Sequence, residues 1–261
     1  IKIVIMDKKF LHFLIVTALL TCSVISEAQT YQLKSISRSR VLIDSSLDPF
    51  TDSAAVKYLA PYRQRVDSMI EPVVGNSERY MRASRPESLL SNLLSDIMVY
   101  QSSIFDETVD FSVYNMGGIR ASLPKGKVTY GDILDIAPFE NKLCFLTLSG
   151  QKVMQLFQEI ASVGGEGVSH GVQMVISKDR KLVSVLLNGK KIEPTKKYRI
   201  ATIDYLAQGN DNMEAFKSSE NIVMPTNSNN NIREFIIKYF RDCMERGVVV
   251  DSKMEGRITV E

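Results

Sequence analysis

Two stretches of the 261-residue chain run from an apolar segment into a small-residue turn bearing hydrogen-bonding side chains. The first is Val109-Asp110-Phe111-Ser112-Val113-Tyr114-Asn115-Met116-Gly117-Gly118-Ile119-Arg120. Gly117 and Gly118 lack a Cβ, so the backbone there can take φ > 0 and let a ligand come close. Asn115 and Arg120 flank them with an amide and a guanidinium. A hairpin turn with a surface arginine is the competing reading, since glycine pairs commonly punctuate turns. In the second stretch, Tyr198 to Ile203 leads into Asp204-Tyr205-Leu206-Ala207-Gln208-Gly209-Asn210-Asp211, again an aromatic, a small-residue turn and a carboxylate. Between them Ala137-Pro138-Phe139-Glu140-Asn141 places an aromatic in a loop fixed by a proline. Taken alone, a single Phe more often folds back onto the core. Upstream, Arg82-Ala83-Ser84-Arg85-Pro86-Glu87-Ser88 delivers arginines to a helix start, where cations do not complement the helix dipole. Surface arginines are the alternative there.

Alternation of Val109, Phe111 and Val113 with polar neighbours predicts a half-buried strand ending at Asn115. Asp52 can cap a helix to about Ile70, with Val56, Leu59, Tyr62 and Val66 on one face and Pro61 as a kink or break. Glu71 to Met81 reads as extended, and Leu89, Leu93, Ile97 and Tyr100 mark a strong helix. Thr129 caps a short helix through Asp132, Ile133 and Leu134. Lys142 to Leu148 is a strand, and Ser149-Gly150 opens a helix whose buried stripe is Val153, Leu156, Phe157 and Ile160. Strands follow at Val172 to Ile176 and Leu182 to Leu187, with Asn188-Gly189 as a hairpin signal. A brief strand at Ile222 to Met224, a helix from about Asn230 to Glu245 and a strand in the tail complete the chain. Gly164-Gly165-Glu166-Gly167 follows a helix and precedes a strand, the reverse of a phosphate-cradling loop. Strands and helices mix without strict alternation, which predicts mixed sheets with helices packed outside.

Hydrophobic residues make up 44%, charged residues 24%, and the formal net charge is +2. Both signs are interspersed, with no basic stripe and no acidic tail, which argues against a nucleic-acid polymer as partner. The start reads as an export signal. Met6-Asp7-Lys8-Lys9 opens a cationic region, with Ile1 to Ile5 upstream of the expected start. An apolar stretch from Phe10 to about Ile25 follows, and Ser26-Glu27-Ala28 offers small residues for a signal peptidase. Residues 1–28 are therefore expected to be upstream sequence and signal peptide, with residues 29–261 as one domain lacking a transmembrane span. A lipoprotein signal using Cys22 is the alternative; either implies export, with the periplasm as the expected destination. Cleavage would leave Cys144 and Cys243, expected as two separate buried thiols.

Three segments, Asn115-Met116-Gly117-Gly118-Ile119-Arg120, Ile136-Ala137-Pro138-Phe139 and Ala201 to Asp211, occur in order with the spacing of a known family. Over roughly residues 82 to 216 the chain resembles the C-terminal, substrate-binding domain of the 5′-nucleotidase and UDP-sugar hydrolase family. The resemblance implies an α/β fold of the α+β type, with mixed sheets and outer helices layered α/β/β/α. It implies that Phe139 and Tyr205 sandwich a base, that Asp211 holds the ribose hydroxyls and that Asn115 is the base-contacting amide. Gly117 and Gly118 would form the binding turn, Arg120 would face sugar and phosphate, and Arg85 is the candidate for a further family arginine. Tyr205 stands where the family frequently has Phe, and Gly209-Asn210-Asp211 replaces a Gly-Gly-Asp turn; Tyr still stacks and Asn tolerates φ > 0.

In that family hydrolysis belongs to an N-terminal metallophosphatase domain, whose two metal ions clamp the attacking and leaving oxygens. The chain has His12 and His170 only, none of that domain's Asp-x-His or Gly-Asn-His motifs, and too few residues between 29 and 82 to hold it. His170 is assigned no role. The expectation is a nucleotide- or nucleoside-binding half with no cofactor of its own, served by a separately encoded metallophosphatase subunit carrying the divalent metals. The alternatives are a non-catalytic nucleoside-binding module for scavenging or delivery, and an interaction protein that has lost its ligand.

Overall fold

The computed structural model describes residues 7–22, 31–46, 52–225 and 230–261. The expected cleavage site at Ala28, the start at Gln29 and the Cys22 side chain lie outside the described residues. The chain divides into two units, residues 1–53 and 54–261. The first holds helix α1 (Lys8–Cys22). Among the described residues no helix is long and apolar enough to cross a membrane.

Helix α2 (Ser53–Ile70), which lies in the second unit from Ala54 on, is a single helix that passes through Pro61. Of the kink or break expected at Pro61, the break does not occur. No residue of α2 is buried, so water can satisfy the carbonyl that the proline leaves without a donor. The stripe Val56, Leu59, Tyr62 and Val66 is exposed as well.

There follow β1 (Val73–Ser77), α3 (Leu89–Ser102), β2 (Phe111–Tyr114), β3 (Gly126–Thr129) and α4 (Tyr130–Ile136). Next come β4 (Leu143–Ser149), α5 (Gly150–Ser162), β5 (Gly167–Val168), β6 (Val172–Ile176), β7 (Leu182–Leu187) and β8 (Lys190–Lys191). The chain closes with β9 (Lys197–Ile203), α6 (Asp204–Ala207), β10 (Glu220–Val223), α7 (Ile232–Glu245) and β11 (Ile258–Val260). Local signals set most of these bounds. Ser88 and Thr129 form reciprocal capping boxes with Ser91 and Asp132, and the Ser149 and Asn231 side chains cap α5 and α7. Asn188 and Gly189 both take φ > 0, the tight hairpin turn their sequence predicts.

The strands form a five-stranded sheet in the order β10-β4-β9-β2-β5, a four-stranded sheet β11-β6-β7-β8 and the pair β1-β3. β2 runs parallel to β9, and β11 to β6; the other pairings are antiparallel. This is the mixed α/β architecture expected from the sequence. α3 packs on β2 and β5, α5 on β4, β7 and β9, and α7 on β1, α3 and α4. With α3 on one face and the Phe111 ring stacked on Phe157 of α5 at 5.3 Å, β2 is buried at all four positions rather than alternating. Ser112 survives there because its hydroxyl donates to the Ser95 carbonyl at 2.7 Å. Tyr114 is fully buried, and burial pushes its phenol pKa up. Cys144 and Cys243 are separate free thiols, both buried, and burial pushes the Cys144 thiol up to about 11.

Candidate functional site

Sheet register gathers the three chemical segments. β2 and β9 are parallel neighbours, pairing Phe111 with Ile200 and Ser112 with Ala201, so both C-terminal ends leave the same edge. One end delivers the Asn115 turn and the other delivers Tyr205 at the start of α6. β4 lies antiparallel on the other side of β9, pairing Leu143 with Ile203, so the loop entering β4 reaches that edge too. That loop carries Phe139 and Asn141. Asp204 ties the two together, because its Oδ1 accepts from the backbone N–H of Lys142 at 3.0 Å and of Tyr205 at 2.9 Å.

The result is a cavity of about 380 Å³ lined by Gly117, Arg120, Phe139, Asn141, Tyr205 and Asp211. Phe139 and Tyr205 are 46% and 39% exposed, so both rings face away from the core, and Phe139 does not fold back as a lone Phe would. The Arg120 guanidinium lies 5.9 Å from the Phe139 ring centroid, and its Nη1 donates to the Gly117 carbonyl at 3.5 Å. Beneath the loop, the buried Arg233 donates through Nη1 to the Pro138 carbonyl at 3.3 Å and more weakly to that of Ala137 at 3.5 Å.

Asp211 is the hub. Tyr205 Oη donates to its Oδ1 and Asn115 Nδ2 to its Oδ2, each at 3.0 Å. This contact to Asp211 raises the Tyr205 pKa, because the phenolate would sit beside a carboxylate. Gly209 at φ +84° opens the turn, Asn210 does not use the φ > 0 it could tolerate, and Asp211 at +55° and Asn212 at +64° take left-handed backbone that costs free energy at non-glycine positions. Asn210 Nδ2 closes this turn by donating to the Tyr205 carbonyl at 2.8 Å.

The Met116–Gly118 turn is a single 3₁₀ turn, and neither glycine uses φ > 0. Space is the reason for Gly118. A Cβ there would lie 2.5 Å from Asn115 Oδ1, inside any acceptable contact. Asn115 itself is buried at 4% exposure and directed at Asp211; it is not among the cavity-lining residues, whereas Asn141 is. Arg85 lies off the cavity lining as well. Its Nε donates to the Gly165 carbonyl at 2.7 Å and its Nη2 to the buried Glu166, whose other carboxylate oxygen accepts from the Met116 N–H. Burial pushes the Glu166 pKa up, and the Met116 N–H and Arg85 pull against it without cancelling it. Gly165 admits this arrangement: it has φ +111°, and a Cβ would sit 2.5 Å from the Pro86 carbonyl oxygen.

Asn141, Glu166, Asp204 and Arg233 are thus site or supporting residues that sequence reasoning did not single out. The signal for Glu166 was a lone charge inside Gly164-Gly165-Glu166-Gly167, and for Asn141 its place two residues after Phe139. Among the described residues no group of three or more His, Cys, Asp and Glu side chains is gathered as a metal site would require.

The chain is 26% identical over 176 residues to a 5′-nucleotidase of Vibrio vulnificus, covering 66% of this chain and 31% of that protein. It is 23% identical over 159 residues to Protein UshA of Escherichia coli, covering 60% of this chain and 29% of the relative. The chain therefore spans about a third of the length of these relatives. The fold matches the crystal structure of a 5′-nucleotidase precursor from Thermus thermophilus with a TM-score of 0.68 at 24% identity, over 79% of this chain and 43% of that one. The family model for the 5′-nucleotidase C-terminal domain matches residues 73–218, more than half of the chain and the whole stretch from β1 through the Asp211 turn. The chain belongs to the 5′-nucleotidase C-terminal domain family.

Proposed function

We propose that this chain binds a nucleoside or nucleotide in the Phe139–Tyr205 cavity and is the substrate-binding half of a phosphohydrolase. Hydrolysis is supplied by a separate dimetal metallophosphatase subunit, and this chain holds no cofactor. The single observation that carries the reading is the convergence of Phe139 and Tyr205, 66 residues apart in the chain, on one cavity that also holds Asp211 and Arg120. A planar base fits between aromatic rings, and stacking contributes about 1–3 kcal/mol per ring irrespective of the base. Asn141 lines the same cavity and offers both an amide donor and an acceptor to the base edge. Asp211 accepts from ribose hydroxyls. Arg120 rests on Phe139 in the free protein and turns to the phosphate when the base takes the ring. Asn115, Gly117, Gly118 and, through Glu166, Arg85 shape the wall of the site. Export to the periplasm, by signal peptide or by a lipid on Cys22, belongs to the same reading.

Calorimetric titration with adenosine and AMP tests it. The wild-type chain is expected to bind both, and the Phe139→Ala, Tyr205→Ala double variant to lose binding by at least about 30-fold, the equivalent of about 2 kcal/mol of stacking. Equal binding by the double variant would place the ligand elsewhere.

A further inference from the structure

The Tyr205 hydroxyl has a role that its ring does not explain. A carboxylate offers about four acceptor positions on two oxygens. In this chain each oxygen of Asp211 already has one protein donor: the Tyr205 hydroxyl on Oδ1 and the Asn115 amide on Oδ2, both at 3.0 Å. Phenylalanine would supply the same stacking face and no donor. The two donors are anchored differently: Asn115 by burial, and Tyr205, whose side chain is exposed, through its main chain. Asn115 is buried against Gly118, and the Tyr205 main chain is held by Asp204 and Asn210. An arriving sugar therefore meets a carboxylate on which each oxygen already carries one protein hydrogen bond and has a lone pair to spare.

From this geometry we propose that Tyr205 is a specificity-determining residue whose hydroxyl relaxes discrimination between ribose and 2′-deoxyribose. The inference rests on the nucleoside-binding reading above. If the ligand lacks one sugar hydroxyl, each Asp211 oxygen still keeps a donor, so no part of the carboxylate is left unpaired beneath it. Remove the Tyr205 hydroxyl, and Oδ1 depends on the ligand alone. A missing hydroxyl then leaves Oδ1 without a donor beneath the bound nucleoside, which is the condition under which sites reject analogues strongly.

The experiment is a pair of dissociation constants, for adenosine and 2′-deoxyadenosine, measured by calorimetry on the wild-type chain and on Tyr205→Phe. The wild type is expected to discriminate by less than about fivefold, and Tyr205→Phe to widen the ratio by about five- to tenfold, as one unpaired acceptor implies. Both absolute constants can change; only the ratio reads the hydroxyl. A ratio that Tyr205→Phe leaves unchanged overturns the inference while leaving the binding site standing. A wild-type chain that binds neither nucleoside overturns the nucleoside-binding reading and the inference with it.

Discussion

Gly118 carries no side chain because Asn115 already fills the space a Cβ would need, 2.5 Å from Asn115 Oδ1. Its neighbour Gly117 is exposed on the cavity, and a Cβ there would meet nothing closer than Asp211 Oδ2 at 3.6 Å. The two glycines therefore predict different outcomes. Gly118→Ala must displace the buried Asn115 amide and break its bond to Asp211, so a loss of about 1–3 kcal/mol in stability is expected. Gly117→Ala is expected to stay within about 0.5 kcal/mol of wild type and to act on ligand affinity instead. Urea denaturation of both variants checks this, and equal losses would refute the assignment of Gly118 to Asn115. Asn115 and Arg85 illustrate the same logic from the other side. Each has the chemistry to touch a ligand, and each is occupied by a carboxylate of the protein, Asp211 and Glu166.

Loops rather than strands form the cavity, and each loop is fastened by a side chain from another element, two of them buried. Glu166, just before β5, receives the N–H that begins the Met116–Gly118 turn; Arg233, on α7, holds the carbonyls before Phe139; Asp204 joins α6 to β4. The Glu166 tether has a pH signature. Its pKa is raised by burial, so the native state keeps a proton that the unfolded chain releases. Stability from this group is then greatest below the ordinary carboxylate pKa and falls as pH rises towards the raised value. Glu166→Gln removes the titration. Denaturation measured between about pH 4 and about pH 8 is expected to show wild-type stability declining relative to Glu166→Gln over that window. Parallel profiles would show that Met116 and Arg85 offset the burial completely.

For the whole molecule, the proposed division of labour makes a direct prediction. Purified protein supplied with Mn²⁺, Zn²⁺ or Mg²⁺ and AMP is expected to release phosphate no faster than buffer, in a colorimetric phosphate assay. Brisk metal-dependent release would overturn the assignment of chemistry to another subunit. What the sequence determined by itself is everything governed by neighbours along the chain. The period of the apolar residues marked α3, α5 and α7 and placed β4, β6, β7 and β9 to within a residue, because burial follows a local repeat, whereas the short strands β3, β5 and β8 carry no such repeat. Serine, threonine and Asn-Gly signals ended them, because caps and tight turns are satisfied within a few residues. The order and spacing of the Asn115, Phe139 and Asp211 segments pointed to the family. Tertiary structure decided what depends on partners far away in the chain. β2 loses its alternation because α3 and α5 cover both faces, and α2 keeps its apolar stripe exposed because no element of its own unit covers it. Asn115 meets Asp211 across 96 residues and Arg85 meets Glu166 across 81, contacts that exist only once β2, β9 and β5 lie in one sheet. A side chain's type fixes which bonds it can make, but which partner reaches it first is set by sheet register, and register is a property of the folded chain.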